Sequence, residues 1–346
     1  MARKLLWGSL VLAPVTFVAR YVFHVGDTGL FVLAAASLVP LAWLIGEATE
    51  HAGEHVGPGV GGFLNASFGN APELIIALIA IDSGLPDVVR GSLAGSVVSN
   101  ILLVLGLAML LGPDRARLGT RSLLTQLALV LVAVFAFFVP AIPSFHGDPD
   151  RHSLALLTIP VAIGLLALYL VTTIRNLRIH SAAHTREARA QAWSLPRALV
   201  ALGLATAVTA LISEILVHSL DGFARAAGLS EFFIATVIVA IVGNAAEHGG
   251  AVVIARRGGM VLATEIAISS SAQVAVFLIP AVALLSFVVT PALPLSFRPI
   301  ELIGMGGAAL FVGFVVRDGI SRRREGGFLI AVYAAFVLSV YLVGDR

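Results

Sequence analysis

Apolar stretches of about 20 residues follow one another along the chain, and short polar segments that carry most of the arginines separate them. Each stretch is long enough to cross a bilayer core of about 30 Å as an α-helix. The pattern predicts eleven membrane spans, at 5–23, 28–50, 60–81, 87–112, 121–142, 153–175, 196–220, 231–255, 261–289, 299–316 and 326–343. The expected fold is therefore an all-α polytopic membrane protein.

Composition agrees with this pattern. Of 346 residues, 58% are hydrophobic and 12% are charged, whereas soluble domains carry about 25% charged residues. The chain has no cysteine, which excludes disulfides, thiolate metal sites and cysteine nucleophiles. The basic residues lie in short loops, where they set topology, so the lipid bilayer rather than nucleic acid is the expected partner.

The arginines also predict the orientation. Sixteen of the 22 lysines and arginines fall on the side of the predicted spans that carries the N-terminus. Because cytoplasmic loops are enriched in basic residues, we expect the N-terminus in the cytoplasm and the C-terminus outside. The expected location is a bacterial inner or plasma membrane.

Three motifs recur in the two halves of the chain in the same order. The pairs are LIGEATEH (44–51) with LISEILVH (211–218), GNAPE (69–73) with GNAAE (243–247), and GSVVSNILLVLG (95–106) with ISSSAQVAVFLI (268–279). Five spans per copy is an odd number, so the second copy enters the membrane inverted. Inverted repeats are typical of secondary transporters, whose substrate site lies near the midplane.

This repeat predicts the division of the chain. A leading helix occupies 1–25, the first five-helix repeat 26–177, a cytoplasmic linker 178–195, and the second, inverted repeat 196–346.

The central polar residues are Asn70 with Glu73, and Asn244 with Glu247. Each pair is spaced i, i+3 and shares one helical face. A carboxylate in hydrocarbon costs about 2.5 kcal/mol or more, so it must be paired, protonated or bound to a cation. The glycine before each asparagine, with Pro72, favours a helix break that frees backbone carbonyls. These oxygens suit Ca²⁺, and inversion predicts that the two glutamates face each other and bind cation or protons in turn.

Further candidate ligands lie on the helices that follow each motif: Ser96, Ser99, Asn100, Ser270 and Gln273. Asparagine and glutamine are costly to bury and therefore rank above the serines. Small hydroxyl residues are also ordinary packing residues of membrane helices, and this alternative stays open for each serine.

A second group of polar residues suits gates or a proton path: Glu47, His51, Glu214, His218, His248 and Glu265. Histidine titrates near neutrality, which suits proton exchange. For His248 the alternative is a hydrogen bond within the helix bundle, and for Glu265 it is an interface charge. The loop residues His146, Asp148, Asp150 and His152 are expected to be solvated.

The motifs also resemble a known family. FLNASFGNAPELIIALIA (63–80) followed by GSLAGSVVSNILLVLG (91–106) resembles the first signature of the calcium/cation antiporter superfamily, proton-coupled branch. IVGNAAEHGGAVVIA (241–255) followed by AISSSAQVAVFLIP (267–280) resembles the second. The resemblance implies a Ca²⁺/H⁺ antiporter, not an enzyme, that needs no cofactor beyond its transported ions. It also implies Glu73 and Glu247 as central ligands.

The chain departs from that family at two places. Position 72 is proline where threonine, valine or a similar residue is usual, and the stretch 175–194 around the linker holds a single acid, Glu187, among four arginines. Sodium or potassium coupling is the main alternative. A cation channel and an intramembrane metalloenzyme are alternatives of other classes, although the sequence has no HExxH motif.

Overall fold

The computed structural model describes residues 2–180, 193–289 and 291–343, most of them helical. The helices are α1 Ala2–Ser9, α2 Leu12–Tyr21, α3 Asp27–Gly69, α4 Ala71–Asp82, α5 Pro86–Val98, α6 Leu105–Leu111, α7 Thr120–Ser144, α8 His152–His180, α9 Leu195–Ala227, α10 Glu231–Phe233, α11 Ala240–Gly243, α12 Ala245–Arg256, α13 Met260–Gln273, α14 Ile279–Leu285, α15 Pro299–Val315 and α16 Arg323–Val343. Strands β1 Ala116–Arg117 and β2 Ile320–Ser321 pair antiparallel.

Three π-helical segments join pairs of these helices. Ser99–Val104 connects α5 to α6, Ile234–Val239 connects α10 to α11, and Val274–Leu278 connects α13 to α14. Each joined pair is therefore one longer helix with a wider turn in its interior.

Eight helices of the described chain are long and apolar enough to cross a membrane, or nine if the bent pair Glu231–Gly243 and Ala245–Arg256 counts as one span. Large apolar side chains such as Phe135, Ile303 and Val288 are mostly exposed, as expected of surfaces that face lipid. The protein is thus an integral membrane protein. The predicted number of eleven spans and the predicted repeat boundaries stay predictions.

Helix ends differ from the predicted spans at the N-terminal side. The helix assignment α3 covers Asp27–Gly69, but the chain turns back within it, because a β-carbon on Gly53 would lie 3.3 Å from Gly61 Cα. The first part, Asp27–Val56, is a candidate membrane span by itself, which agrees with the expected separation of 28–50 from 60–81. The polar stretch after residue 46 consists largely of alanine, glutamate and histidine and stays helical, so the first span extends to Val56 instead of ending near residue 50. The expected first span, 5–23, forms the two helices α1 and α2, with Pro14 in the first turn of α2, where its missing N–H is tolerated.

The described residues fall into two compact units. Unit 1 comprises Met1–Ile79, Ala167–Ala227 and Val242–Ala246, and unit 2 comprises Ala80–Leu166, Gly228–Ile241 and Glu247–Arg346.

Unit 1 is built on the pairing of α3 with α9. The ring of Phe31 stacks on Phe223 at 4.3 Å, while Ile45 packs in one cluster with Leu202. Early residues of α3 thus meet late residues of α9, so the two helices run antiparallel. The same cluster contains Ala71, which ties the start of α4 to this pair.

Unit 2 depends on close helix contacts at glycines. A β-carbon on Gly91 would lie 2.6 Å from Thr236 Oγ1, and one on Gly95 would overlap the Thr236 carbonyl. A β-carbon on Gly326 would lie 2.7 Å from the Gly106 carbonyl oxygen. Small residues let membrane helices approach to backbone contact, where dispersion and polar contacts replace the hydrophobic effect as the source of association.

We expect Gly95→Ala to destabilise the protein by about 1–3 kcal/mol, because the added methyl group must displace the backbone of the π-helical segment. The matched control is Gly164→Ala in α8, where nothing lies within 4 Å of the added carbon. Thermal unfolding of the purified proteins in detergent should show a lower Tm for Gly95→Ala only. Equal Tm values would contradict the close contact.

Candidate cation-binding site

The two GNA motifs build the same local structure. Each asparagine, Asn70 or Asn244, lies at a break between helices, and a helix of 12 residues begins directly after it. Asn70 has φ −96° and ψ 13°, and its carbonyl accepts a hydrogen bond from Leu74 N at 3.0 Å. At Asn244 the helix axis bends by 59°. The break that the sequence predicts at each motif is therefore present.

The break places both glutamates at the same helical position. Glu73 is the third residue of α4 and Glu247 is the third residue of α12. The N-terminus of a helix carries a partial positive charge, which stabilises a nearby carboxylate by about 0.3–1 kcal/mol and by up to about 2 kcal/mol when partly buried. The helices that end before each asparagine leave their last carbonyls without intrahelical partners. Such half-helix ends bind ions in secondary transporters.

In unit 1 the two motifs meet. Asn70, Glu73 and Asn244 are all buried. A β-carbon on Gly243 would lie 2.9 Å from Glu73 Cγ, so the glycine of the second motif packs directly on the glutamate of the first. Only glycine leaves room for this side chain.

In unit 2 a hydrogen-bonded chain leads to Glu247. The hydroxyl of Ser270 donates to Glu247 Oε2, and Asn100 Nδ2 donates to Ser270 Oγ at 3.3 Å. His248 Nε2 lies 2.8 Å from Asn100 Oδ1. An amide oxygen can only accept, so His248 Nε2 is the donor of this bond.

This chain joins helices from distant parts of the sequence. Asn100 lies in the π-helical segment after α5, Ser270 lies on α13, and Glu247 with His248 lies on α12. Carboxylate, hydroxyl and amide oxygens are ligands that a hard cation accepts, and the adjoining imidazole can hold or release a proton. The arrangement can therefore bind a cation and exchange a proton among neighbouring side chains.

The remaining candidate ligands are close in sequence to members of this hydrogen-bonded chain. Ser96 and Ser99 are buried, and Ser99 Oγ donates to the Ser96 carbonyl of its own helix at 3.2 Å, which favours packing for Ser99. Gln273 is partly buried and directly precedes the π-helical segment Val274–Leu278. Asn100 lies inside the first such segment. Sequence periodicity gives no sign of π-helical turns, which are often found at functional sites.

The two expected gate pairs differ in structure. On α3, His51 Nε2 lies 3.5 Å from Glu47 Oε1, and the His51 ring stacks on Trp193 at 4.7 Å. On α9, Glu214 and His218 are exposed, and His218 Nδ1 lies 2.8 Å from the Glu214 main-chain oxygen. The resemblance between the two motifs therefore does not extend to this side-chain contact.

Glu265 takes part in hydrogen bonds to α7 that are separate from the chain ending at Glu247. Its Oε2 accepts hydrogen bonds from Ser122 Oγ at 2.9 Å and from Gln126 Nε2 at 2.7 Å, both on α7. These bonds fix Glu265 against the start of α7. Its role as a gate or proton-path residue stays a prediction.

One ionic cluster of unit 2 was not predicted from the sequence. Arg90 is 1% exposed and donates to Asp87 at 2.6 Å and to Asp150 at 2.7 Å, while Arg298 donates to Asp87 at 2.8 Å. The expectation that Asp150 is simply solvated is therefore wrong, because a buried arginine requires a carboxylate partner. The sequence signal was Arg90 itself, an arginine near the start of an otherwise apolar segment.

Within the described ranges, no three histidine, aspartate, glutamate or cysteine side chains cluster in a way that could hold a metal ion. The candidate site instead consists of single carboxylates with amide and hydroxyl oxygens. Glu73 belongs to unit 1 and Glu247 to unit 2, and the expectation that the two carboxylates face each other stays a prediction.

The family model described as sodium/calcium exchanger protein matches residues 27–177 and 197–342. The chain belongs to this family. Among its exchanger relatives, the chain is 37% identical to the Ca²⁺/H⁺ antiporter ChaA of Bacillus subtilis, over 92% of this chain and 94% of the relative. It is 32% identical to the Ca²⁺/H⁺ antiporter of Aphanothece halophytica, over 97% and 95%.

Solved structures of exchangers share the fold. The structure of native YfkE matches with a TM-score of 0.83 and 33% identity, covering 97% of this chain and 98% of that chain. The H⁺/Ca²⁺ exchanger CAX matches with a TM-score of 0.72 at 18% identity, covering 97% and 88%, which is evidence for the fold alone. The all-helical membrane architecture of this chain is therefore that of an exchanger.

We expect Ser270→Ala to weaken cation exchange by roughly tenfold in apparent affinity, because Glu247 loses its hydroxyl donor and Asn100 loses its acceptor. The control is Ser269→Ala, since the Ser269 hydroxyl donates to the Ile266 carbonyl of its own helix. Exchange assays in proteoliposomes should separate the two variants. Equal affinities would show that the hydrogen-bonded chain has no part in binding.

Proposed function

We propose that this protein is a Ca²⁺/H⁺ antiporter, a secondary active transporter and not an enzyme, which exchanges Ca²⁺ for H⁺ by alternating access. Support comes from relatives named as Ca²⁺/H⁺ antiporters at 37% and 32% identity over nearly the whole chain. The observation that carries the proposal is the pair of glutamates at the third position of two helices that both begin directly after a helix break. Ca²⁺ and H⁺ are substrates, and the proposal requires no cofactor.

In this proposal Glu73 and Glu247 bind the cation or protons in turn. A carboxylate in a membrane must be neutralised, so release of Ca²⁺ is coupled to proton uptake. The neutral oxygen ligands are proposed from the described polar residues Asn70, Asn244, Ser96, Ser99, Asn100, Ser270 and Gln273. The proposed gate and proton-path residues are Glu47, His51, Glu214, His218, His248 and Glu265.

Among the proposed proton-path residues, His248 is the one whose hydrogen bonds lead to a central glutamate. Its donated hydrogen bond to Asn100 connects it through Ser270 to Glu247. A proton taken up by the imidazole would therefore lie in the same hydrogen-bonded chain as the carboxylate that must be neutralised when the cation leaves. This placement favours protons over sodium as the coupling ion.

The proposed architecture has eleven spans, with a leading helix at 1–25 and inverted repeats at 26–177 and 196–346. The matching of α4 with α12, and the π-helical segments at or directly after Asn100 and Gln273, support the repeat. The proposed location is a bacterial inner or plasma membrane, with a cytoplasmic N-terminus and an external C-terminus. Most of the cytoplasmic linker 178–195, including Glu187, lies outside the described residues.

Sodium coupling is the second candidate, because the matching family is that of sodium/calcium exchangers. Calcium uptake into vesicles with an imposed pH gradient tests both candidates. Uptake driven by the pH gradient in the absence of sodium would support the proposal. Uptake that requires a sodium gradient and ignores the pH gradient would support sodium coupling instead.

We expect Glu73→Gln and Glu247→Gln each to abolish exchange while the protein stays folded, because glutamine keeps the shape but neither binds Ca²⁺ with a charge nor titrates. The matched control is Asp221→Asn, which removes one exposed carboxylate paired with Arg225 and should change transport little. The measurement is calcium uptake in proteoliposomes, normalised to inserted protein. Uptake at the wild-type level in either glutamine variant would refute the site.

The pH dependence provides a further prediction. Because protons compete with Ca²⁺ for the same carboxylates, apparent calcium affinity should fall as pH falls on the binding side, over roughly pH 8 to 6. The measurement is the calcium concentration for half-maximal uptake at each pH. An affinity that is constant over this range would be inconsistent with proton competition.

A further inference from the structure

Three separate loops of unit 2 meet at one end of the unit. The Gly112 carbonyl accepts from Arg323 Nη2 at 3.3 Å, and a β-carbon on Gly112 would lie 3.4 Å from the Ala255 oxygen. Strands β1 and β2 pair Ala116 with Ser321 in the same region. These contacts bring the segments 112–121, 255–259 and 317–325 together.

These three segments are strongly basic. They hold nine arginines against three acids. Two of the acids, Asp318 and Glu325, both pair with Arg322, and Asp114 accepts from the Arg323 backbone. The exposed arginines that remain, called here the basic surface, are Arg115, Arg117, Arg121, Arg256, Arg257, Arg317, Arg323 and Arg324. In the described chain none of these has a carboxylate within salt-bridge distance.

Exposed apolar side chains border the basic surface. Leu111 ends α6, Leu262 lies in the first turn of α13, and Phe328 lies in the second turn of α16. They are exposed by 44%, 56% and 66%. Side chains of this kind belong in the hydrocarbon, so the arginines next to them lie at the depth of the lipid headgroups.

We infer that the basic surface binds anionic phospholipid, with guanidinium groups on headgroup phosphates and acyl chains along the adjoining apolar side chains. Guanidinium groups bind phosphate oxygens in a bidentate manner. An orientation signal requires only that arginines lie on one side of the membrane. The fold adds to this by joining three loops through specific contacts and leaving their arginines free of carboxylate partners. A soluble anion would gain nothing from the apolar border, which favours a lipid.

The test uses the purified full-length protein in detergent, so that membrane orientation during insertion plays no part. Phosphatidylglycerol and phosphatidylcholine are titrated separately, and lipid retention is followed by native mass spectrometry. The variant is Arg256→Gln with Arg257→Gln. The control is Arg20→Gln with Arg225→Gln, which removes the same charge from unit 1. A charge-preserving variant, Arg256→Lys with Arg257→Lys, shows whether a loss of binding in the glutamine variant comes from the removed charge or from a folding defect.

We expect phosphatidylglycerol to bind more tightly than phosphatidylcholine, and its affinity to fall by roughly fivefold per arginine removed from the basic surface. The control should stay within about twofold of wild type, and the lysine variant should lose less affinity than the glutamine variant, because it keeps the charge but not the bidentate contact. Where the first variant fails to fold, Arg117→Gln with Arg324→Gln tests the same surface through two other loops.

Three outcomes would overturn the inference. Equal loss of affinity in the control would mean that net charge alone governs binding. Equal binding of phosphatidylcholine would mean that the headgroup charge is not recognised. Displacement of the lipid by an equal concentration of inorganic phosphate would mean a site for soluble anions.

Discussion

The structure depends on the hydration free energy that a carboxylate loses when it moves from water into a membrane. An ionised glutamate in hydrocarbon is stable only where a cation, a proton or oriented dipoles replace the solvent. Both central glutamates meet this requirement through the same device, a helix that stops at an asparagine and begins again with the glutamate in its first turn. The broken helix thus places a positive helix end beside the carboxylate. It also leaves carbonyl oxygens that can serve as ligands for a cation.

A broken helix creates a second requirement, because main-chain groups released at membrane depth need partners of their own. Close packing supplies part of the answer. Gly91 admits the Thr236 hydroxyl and Gly95 admits the Thr236 carbonyl, and Ser271 Oγ donates to the Val97 carbonyl at 3.2 Å. Glycine and serine, the residues that look least informative in the sequence, therefore hold helices of unit 2 in close contact.

The sequence was sufficient to select candidate residues for the site but not to predict their contacts. Asn70, Glu73, Asn244 and Glu247 could be selected because a polar residue in an apolar segment has few structural explanations. Which donor reaches Glu247 could not be predicted, since Ser270 is one of three consecutive serines and only the rotation of α13 selects it. That rotation depends on tertiary packing, which periodicity does not encode.

The same limit applies to helix ends and long-range ion pairs. Hydropathy windows follow apolar residues, so they end the span near residue 50, whereas the helix continues through its polar part to Val56. Arg90 was visible as an arginine near an apolar segment, but its partner Asp150 is 60 residues away in a loop. Pairings over such distances depend on the way the helices pack, and that becomes known only with the fold.

Arginines near the two ends of the helix that runs from Pro86 to Leu111 lie in opposite environments. Near its start, Arg90 is buried, and two carboxylates compensate it, as a guanidinium removed from solvent requires. Beyond its end, Arg115 and Arg117 are exposed and lack such partners among the described residues. A buried charge must find its counter-charge within the protein, whereas an exposed charge at a lipid boundary can find it in the surroundings. The difference explains why one cluster holds the fold together while the other is available to a partner outside it.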